Sequence, residues 1–335
     1  MTAISNRLDR LRERRTDRTS GSVQIKEASL RKAYWAPSAK EAREYMVEAA
    51  EAVDAPYTKK TFEECERVQK QLEAGLIQRA IPVEFEHQGS TSNNTHIRLY
   101  SDIDLLSVTG KFTFVKPPAQ VTAPYQGSPL HDLTSLRSAS TEILSSAFPK
   151  ATVDRSKSRC ISISGGSLER RIDVVVCGWL DTAAYLDTRS LVWRGIRVLD
   201  ADEPSTVENF PFLHNARLQQ KDVETSGNLK RLIRLTKSIR SDADNTINVS
   251  SYDIASICYS VPASKLMNPS PLALAAEFLL FGSTVVENPA SLARLRVPND
   301  TRAVFGGSEG ADVDEFKKLL AEVYDALKSA TGSAQ

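Results

Sequence analysis

At Pro82 the spacing of apolar residues changes from three-to-four to two, and it stays near two as far as Leu199. VEFEH, DIDLLSV, KFTFV, ATVDR, CISIS, ERRIDVVVCGW and LVWRGIRVL are short, rich in β-branched and aromatic residues, and separated by turn formers. That is the pattern of strands in one sheet. SGGS, from Ser164 to Ser167, reads as the turn of a hairpin. One stretch, LHDLTSLRSASTEILSSAF between Leu130 and Phe148, returns to helical spacing inside the block.

Helices flank this block on both sides. SAKEAREYMVEAAEAV and YTKKTFEECERVQKQLEAGL precede it, the second with a stop at Gly75. After DADEPSTVEN the character is helical to the end, through HNARLQQKD, NLKRLIRLTKSIR, SSYDIASICYSV, PLALAAEFLLFG and DVDEFKKLLAEVYDALKSA. The expected class is α+β, with a mixed-sheet lobe over 1–205, N-terminal helices included, and a helical lobe over 206–335. The long N-terminal helices are expected to brace both.

Bulk properties exclude several roles. The chain of 335 residues has 43 Lys+Arg against 42 Asp+Glu, so affinity for polyanions must come from local clusters. The basic stretch RLDRLRERRTDR reads first as a solvated helical face or frayed arm, with a phosphate-binding arm as its alternative. No apolar run spans a bilayer, and the N-terminus lacks the apolar core of a secretory signal, which predicts a cytoplasmic protein without membrane attachment. Cys65, Cys160, Cys177 and Cys258 are scattered without paired ligand spacing, so buried, reduced thiols are expected.

The chemistry concentrates in HQGSTSNNTHIRLYSDIDLLSV, His87 to Val108. Alternate residues of a strand share a face, so Asp102 and Asp104 project together while Ile103 and Leu105 face the core. Two carboxylates that close repel unless a cation neutralises them. Hard oxygen ligands favour Mg²⁺, whose remaining ligands come from water and substrate phosphates. Gly89-Ser90 follows VEFEHQ directly and opens a turn or short helix whose backbone N–H groups and Ser90 hydroxyl face an anion. Metal pairs about 3.5–4 Å apart, which activate a hydroxyl and stabilise a leaving pyrophosphate, usually need a third carboxylate. Asp173, alone in the apolar strand RRIDVVVC, is the candidate, and Asp154, among polar neighbours, is its rival.

GSTSNNTHIRLYSDIDLL resembles the signature of the polymerase-β-type nucleotidyltransferase superfamily, and its connector is similar to the bacterial cGAS/DncV-like branch (CD-NTases), relatives of oligoadenylate synthases. The resemblance implies a bilobal fold. It makes Asp102, Asp104 and Asp173 the catalytic, metal-binding acids for two Mg²⁺ ions, with Mn²⁺ as substitute. Gln88, Gly89 and Ser90 become nucleotide-binding. LKRLIRLTKSIR followed by SSYDIASIC resembles the phosphate-and-base clamp of that family. Lys237 and Ser251 would then hold the triphosphate and Tyr252 would stack on a base. No His-Cys-Cys cluster could make a zinc thumb, which argues against double-stranded DNA sensing; nucleic-acid binding is not required.

The implied activity joins ribonucleoside triphosphates (ATP, GTP, UTP or CTP) into a cyclic or short linear oligonucleotide. That product would be a second messenger for a downstream effector in anti-phage defence. The alternatives are transfer of a nucleotide to tRNA, protein or an aminoglycoside, and a non-catalytic nucleotide sensor.

Overall fold

The computed structural model describes residues 4–15, 38–97, 103–121 and 123–332. Their contacts divide the chain into two units. One comprises 53–94 and 101–216; the other comprises 1–52, 95–100 and 217–335. The division therefore falls after Ala216 rather than near 205, and the first helices belong with the C-terminal unit rather than with the sheet.

The sheet unit opens with α3 (Ala55–Gln78), so numbered because α1 (Ile4–Arg15) and α2 (Ala39–Ala50) precede it in the chain. Then follow β1 (Val83–Gln88), β2 (Ile103–Thr109), β3 (Phe114–Val115), α4 (Pro129–Ala147), β4 (Thr152–Asp154), β5 (Ile161–Gly165) and β6 (Leu168–Asp181). The short α5 (Ala183–Thr188), β7 (Gly195–Asp200) and β8 (Ser205–Asn209) complete it. The strands run in the order β1-β2-β6-β5-β4, and the far half of β6 pairs with β3 and β7. Only β2 and β3 run parallel to β6, while the other pairs are antiparallel.

Both faces of the central strands are covered, which is why they read as apolar runs. Ile103, Leu105, Ile172, Val174 and Val176 pack with Val68 and Leu72 of α3 and Leu133 and Leu144 of α4. On the other face Leu106, Val108, Val175, Cys177 and Trp179 pack with Ile196 and Val198. Burying each such side chain contributes about 1.5–3 kcal/mol.

Two elements depart from the sequence reading. The third helix runs past Gly75 to Gln78. A Cβ at position 75 would lie 2.7 Å from Ile143 Cγ1, so this glycine admits α4 and is no helix stop. Ser205–Asn209, not read as a strand and lying just before the first expected helix of the second lobe, is a strand held antiparallel on β7. The SGGS turn behaves as expected, with Gly165 and Gly166 both at positive φ.

The helical unit adds α6 (Pro211–Glu224, within which the division falls), α7 (Asn228–Asp242), α8 (Ser251–Ser260), α9 (Pro271–Glu287), α10 (Pro289–Arg294) and α11 (Val313–Thr331). Its core joins Leu8 and Leu11 of α1 and Tyr45 and Met46 of α2 to Leu232, Ile239, Ile254, Phe278 and Phe316. Tyr45 donates to Asp242 at 3.0 Å, and Arg234 donates to the Ala50 carbonyl at 3.0 Å. Arg12 pairs with Glu44 and Glu48, and Arg7 with Glu322, so these arginines of α1 serve helix packing. No helix among the described residues is long and apolar enough to cross a membrane, and all four cysteines are buried and free.

Candidate active site

Five strands of the sheet place one polar residue each in a single row. Gln88 is the register partner of Asp104, Asp104 of Asp173, Asp173 of Ser162, and Ser162 of Asp154. Directly opposed residues share a face, and neighbouring strands lie about 4.8 Å apart. The row therefore sets Asp104 beside Asp173 on the face that also carries Leu106 and Val175. Asp102 lies outside the described residues, as does the segment 98–101 before it.

Gly89 bounds the row. Its φ is +89°, a conformation that residues with a side chain rarely adopt, and a Cβ there would overlap Asp104 Oδ2. Glycine thus allows the backbone to close over the acid. After it Ser90 begins a turn rather than a helix, spanning 90–94. The Ser92 hydroxyl donates to the Gly89 carbonyl at 2.8 Å, and Asn215 joins Asn93 at 2.8 Å and Ser92 at 3.2 Å. Ser90 itself is half-buried.

Asp173 is buried, with 7% of its surface exposed. The Ser162 hydroxyl donates to its Oδ1, Arg171 Nε to the same oxygen at 3.2 Å, and Lys157 Nζ to Oδ2 at 3.2 Å. Burial raises its carboxyl, but Ser162, Lys157 and Arg171 outweigh burial and hold it below the ordinary 3.8. Sequence reasoning missed these three partners. Alternation in CISIS puts Ser162 on one face, but only the pairing of β5 with β6 shows which residue it meets. The rival Asp154 caps its own loop, accepting from the Ser156 N–H at 2.8 Å.

The expected clamp residues lie in the helical unit, each held by its own partners. Lys237 is buried and donates to the Thr95 carbonyl at 2.9 Å. Burial, with repulsion from Arg240 and Arg234, brings its ammonium down to about 7. It is Arg240, not Lys237, that reaches the Ser251 hydroxyl, at 3.4 Å. Ser250 is the N-cap of α8, accepting from the Asp253 N–H at 3.0 Å. Tyr252 packs against the helical core, donates to Asn299 at 3.2 Å, and has Arg302 over its ring.

Among the described residues no group of three or more His, Cys, Asp or Glu could by itself hold a metal ion. The donor set still fits a hard divalent cation: two neighbouring carboxylates, one of them approached by the Gly89 backbone more closely than any residue with a Cβ would allow.

Known proteins are similar to this chain in sequence and fold. The sequence model of the cGAS/DncV-like nucleotidyltransferase C-terminal helical domain matches residues 216–328. A cyclic dinucleotide synthase CdnE of Yersinia aleksiciae is 32% identical over 296 residues, covering 86% of this chain and 77% of that protein. A c-di-GMP synthase of Lachnospiraceae bacterium (strain RUG226) is 33% identical over 249 residues, 66% of this chain and 69% of that one. The structure of a STING-associated CdnE c-di-GMP synthase from Capnocytophaga granulosa aligns with a TM-score of 0.76 at 26% identity, covering 98% of this chain and 99% of that one. Fold and relatives together define a nucleotidyltransferase, an enzyme class. Within that class, the chain belongs to the bacterial cGAS/DncV-like nucleotidyltransferases.

Proposed function

We propose that the protein joins ribonucleoside triphosphates into a cyclic dinucleotide, or another short cyclic or linear oligonucleotide, releasing pyrophosphate. The observation that carries this reading is the register of Asp104 against Asp173 beside the Gly89 turn. The names of its relatives, a cyclic dinucleotide synthase and a c-di-GMP synthase, support a cyclic product. The STING association of the Capnocytophaga protein supports a downstream effector that reads that product. Anti-phage signalling in the cytoplasm is the role we assign on that basis.

Asp104 and Asp173, with Asp102, are the proposed ligands of Mg²⁺ or Mn²⁺. Held there, the cation supplies Lewis acidity that favours an ionised attacking hydroxyl and offsets charge on the leaving pyrophosphate. Asp173 stays ionised through Ser162, Arg171 and Lys157, and so is ready as a ligand without prior loss of a proton. Gly89 lets backbone N–H groups approach a phosphate, and Ser90 adds a hydroxyl donor. Gln88, at the end of the row beside Asp104, is the proposed further contact of the same nucleotide. In the helical unit Ser251 with Arg240 is the proposed phosphate contact, and Tyr252 the proposed base contact. Lys237 donates one of its three ammonium hydrogens to the Thr95 carbonyl and is proposed to offer another to a phosphate.

Incubation with labelled nucleoside triphosphates and Mg²⁺, with no acceptor added, tests the reading. A phosphatase-resistant nucleotide product is expected. Its absence, with transfer appearing only on addition of tRNA or protein, would instead identify an external acceptor.

A further inference from the structure

The two oxygens of Asp173 are held in different ways. Oδ1 takes the hydroxyl of Ser162, a residue only 4% exposed, and Arg171 Nε, while Arg171 Nη2 also reaches Ser162 Oγ at 3.0 Å. Ser162, Arg171 and Oδ1 close a triangle whose arginine is 37% exposed and whose serine is buried. Oδ2 takes Lys157 Nζ, whose side chain is 46% exposed. Lys157 stands between Arg155 and Arg159 in the loop from β4 to β5, and Arg159 is already paired with Asp200. The backbone of that loop is nevertheless fixed. Arg137 of α4, 8% exposed, donates to the carbonyls of Arg155 at 3.1 Å and Lys157 at 2.6 Å. An anchored backbone thus carries a side chain that is free to swing into solvent.

A half-exposed lysine pair is weak and exchangeable, whereas a buried hydroxyl bond to a charged group is not. A divalent cation on Asp173 and the Lys157 ammonium would also repel each other across one carboxylate. Building on the metal-binding reading above, we propose that Lys157 is the cationic placeholder of the metal-free site. It neutralises Asp173 Oδ2 until a divalent cation displaces it, while Ser162 and Arg171 keep the carboxylate aimed through Oδ1. Lys157 is thus a positioning residue that competes with the metal, and loop 155–159 sets the metal concentration at which the enzyme becomes active.

The test is Mn²⁺ binding to the full chain without nucleotide, followed by electron paramagnetic resonance or calorimetry, alongside melting in EDTA. Lys157→Gln should bind Mn²⁺ roughly twofold to fivefold more tightly, the equivalent of one half-exposed ion pair. The same variant should melt slightly lower in EDTA yet level with wild type in saturating Mn²⁺. Lys157→Arg, which retains the charge, should restore wild-type affinity. Unchanged or weaker Mn²⁺ binding in Lys157→Gln, with Asp173→Asn still losing it, overturns the placeholder and leaves the metal-binding reading intact. If Asp173→Asn binds Mn²⁺ as wild type does, both fall together.

Discussion

Asp104 and Asp173 are register partners across the parallel β2–β6 pair, and Asp173 is held by two cations, Lys157 and Arg171. Asp173 spends its charge on Ser162, Lys157 and Arg171, whereas Gly89 closes over Asp104. The two acids should therefore respond differently to substitution, although both serve the same chemistry.

Asp104→Ala should abolish product formation and leave the melting temperature within a few degrees of wild type. Asp173→Ala should abolish it too, but at a stability cost of about 1–3 kcal/mol, because it strands a buried hydroxyl and two cations. The carboxyl of Asp173 lies below its ordinary 3.8 in the folded protein. Its contribution is complete above the unfolded value, near pH 4, and is lost as pH falls toward the folded value. The stability gap between wild type and Asp173→Asn should close in acid. A gap that persists unchanged below pH 3 would contradict the assigned ion pairs.

Gly89→Ala meets two obstacles, the left-handed φ and overlap with Asp104 Oδ2. Expected is a loss of about 1–2 kcal/mol together with at least a hundredfold fall in turnover, since the acid must move. Denaturant melts and initial rates check both. Wild-type turnover would mean that Asp104 does not need its present position.

Gly75→Ala should destabilise by about 1–3 kcal/mol, because its new methyl meets three carbons of Ile143. Combining it with Ile143→Val should recover part of that loss. Additive losses in the double variant would show that the close contact between α3 and α4 is not the cause.

Lys237 gives the stability a basic limb. Below about pH 7 the ammonium is protonated in both states, and the penalty for burying it is carried in full. Between about 7 and 10.5 the folded protein releases the proton while the unfolded chain keeps it, so stability rises with pH. Relative to Lys237→Met, wild type should gain a few kcal/mol across that window in urea melts. Parallel curves would mean that Lys237 is neutralised by another group.

Much of the site was legible because strands alternate. Alternation in DIDLLSV and RRIDVVVC assigns Asp104 and Asp173 each to one face of its strand, and Gly-Ser at a strand end announces a tight turn. What stayed hidden was non-local. Nothing in STVEN marks a strand until β7 supplies a partner for it. Gly75 looks like a helix stop until Ile143 is seen against it. The N-terminal helices, grouped with the sheet lobe and expected to brace both, include α1 and α2, whose apolar faces are buried with residues beyond 217. That Lys237, expected to hold the triphosphate, is buried and donates to the Thr95 carbonyl follows from helix packing that its basic neighbours in sequence do not announce.

The unbroken length of β6 has an evolutionary corollary. Arg171, Asp173, Val175, Cys177 and Trp179 occupy alternate positions of one continuous ladder, so inserting or deleting a single codon upstream of Asp173 within it would invert which side each residue serves. The loops on either side can change length without that inversion, whereas within this segment only substitution leaves each residue on its own side.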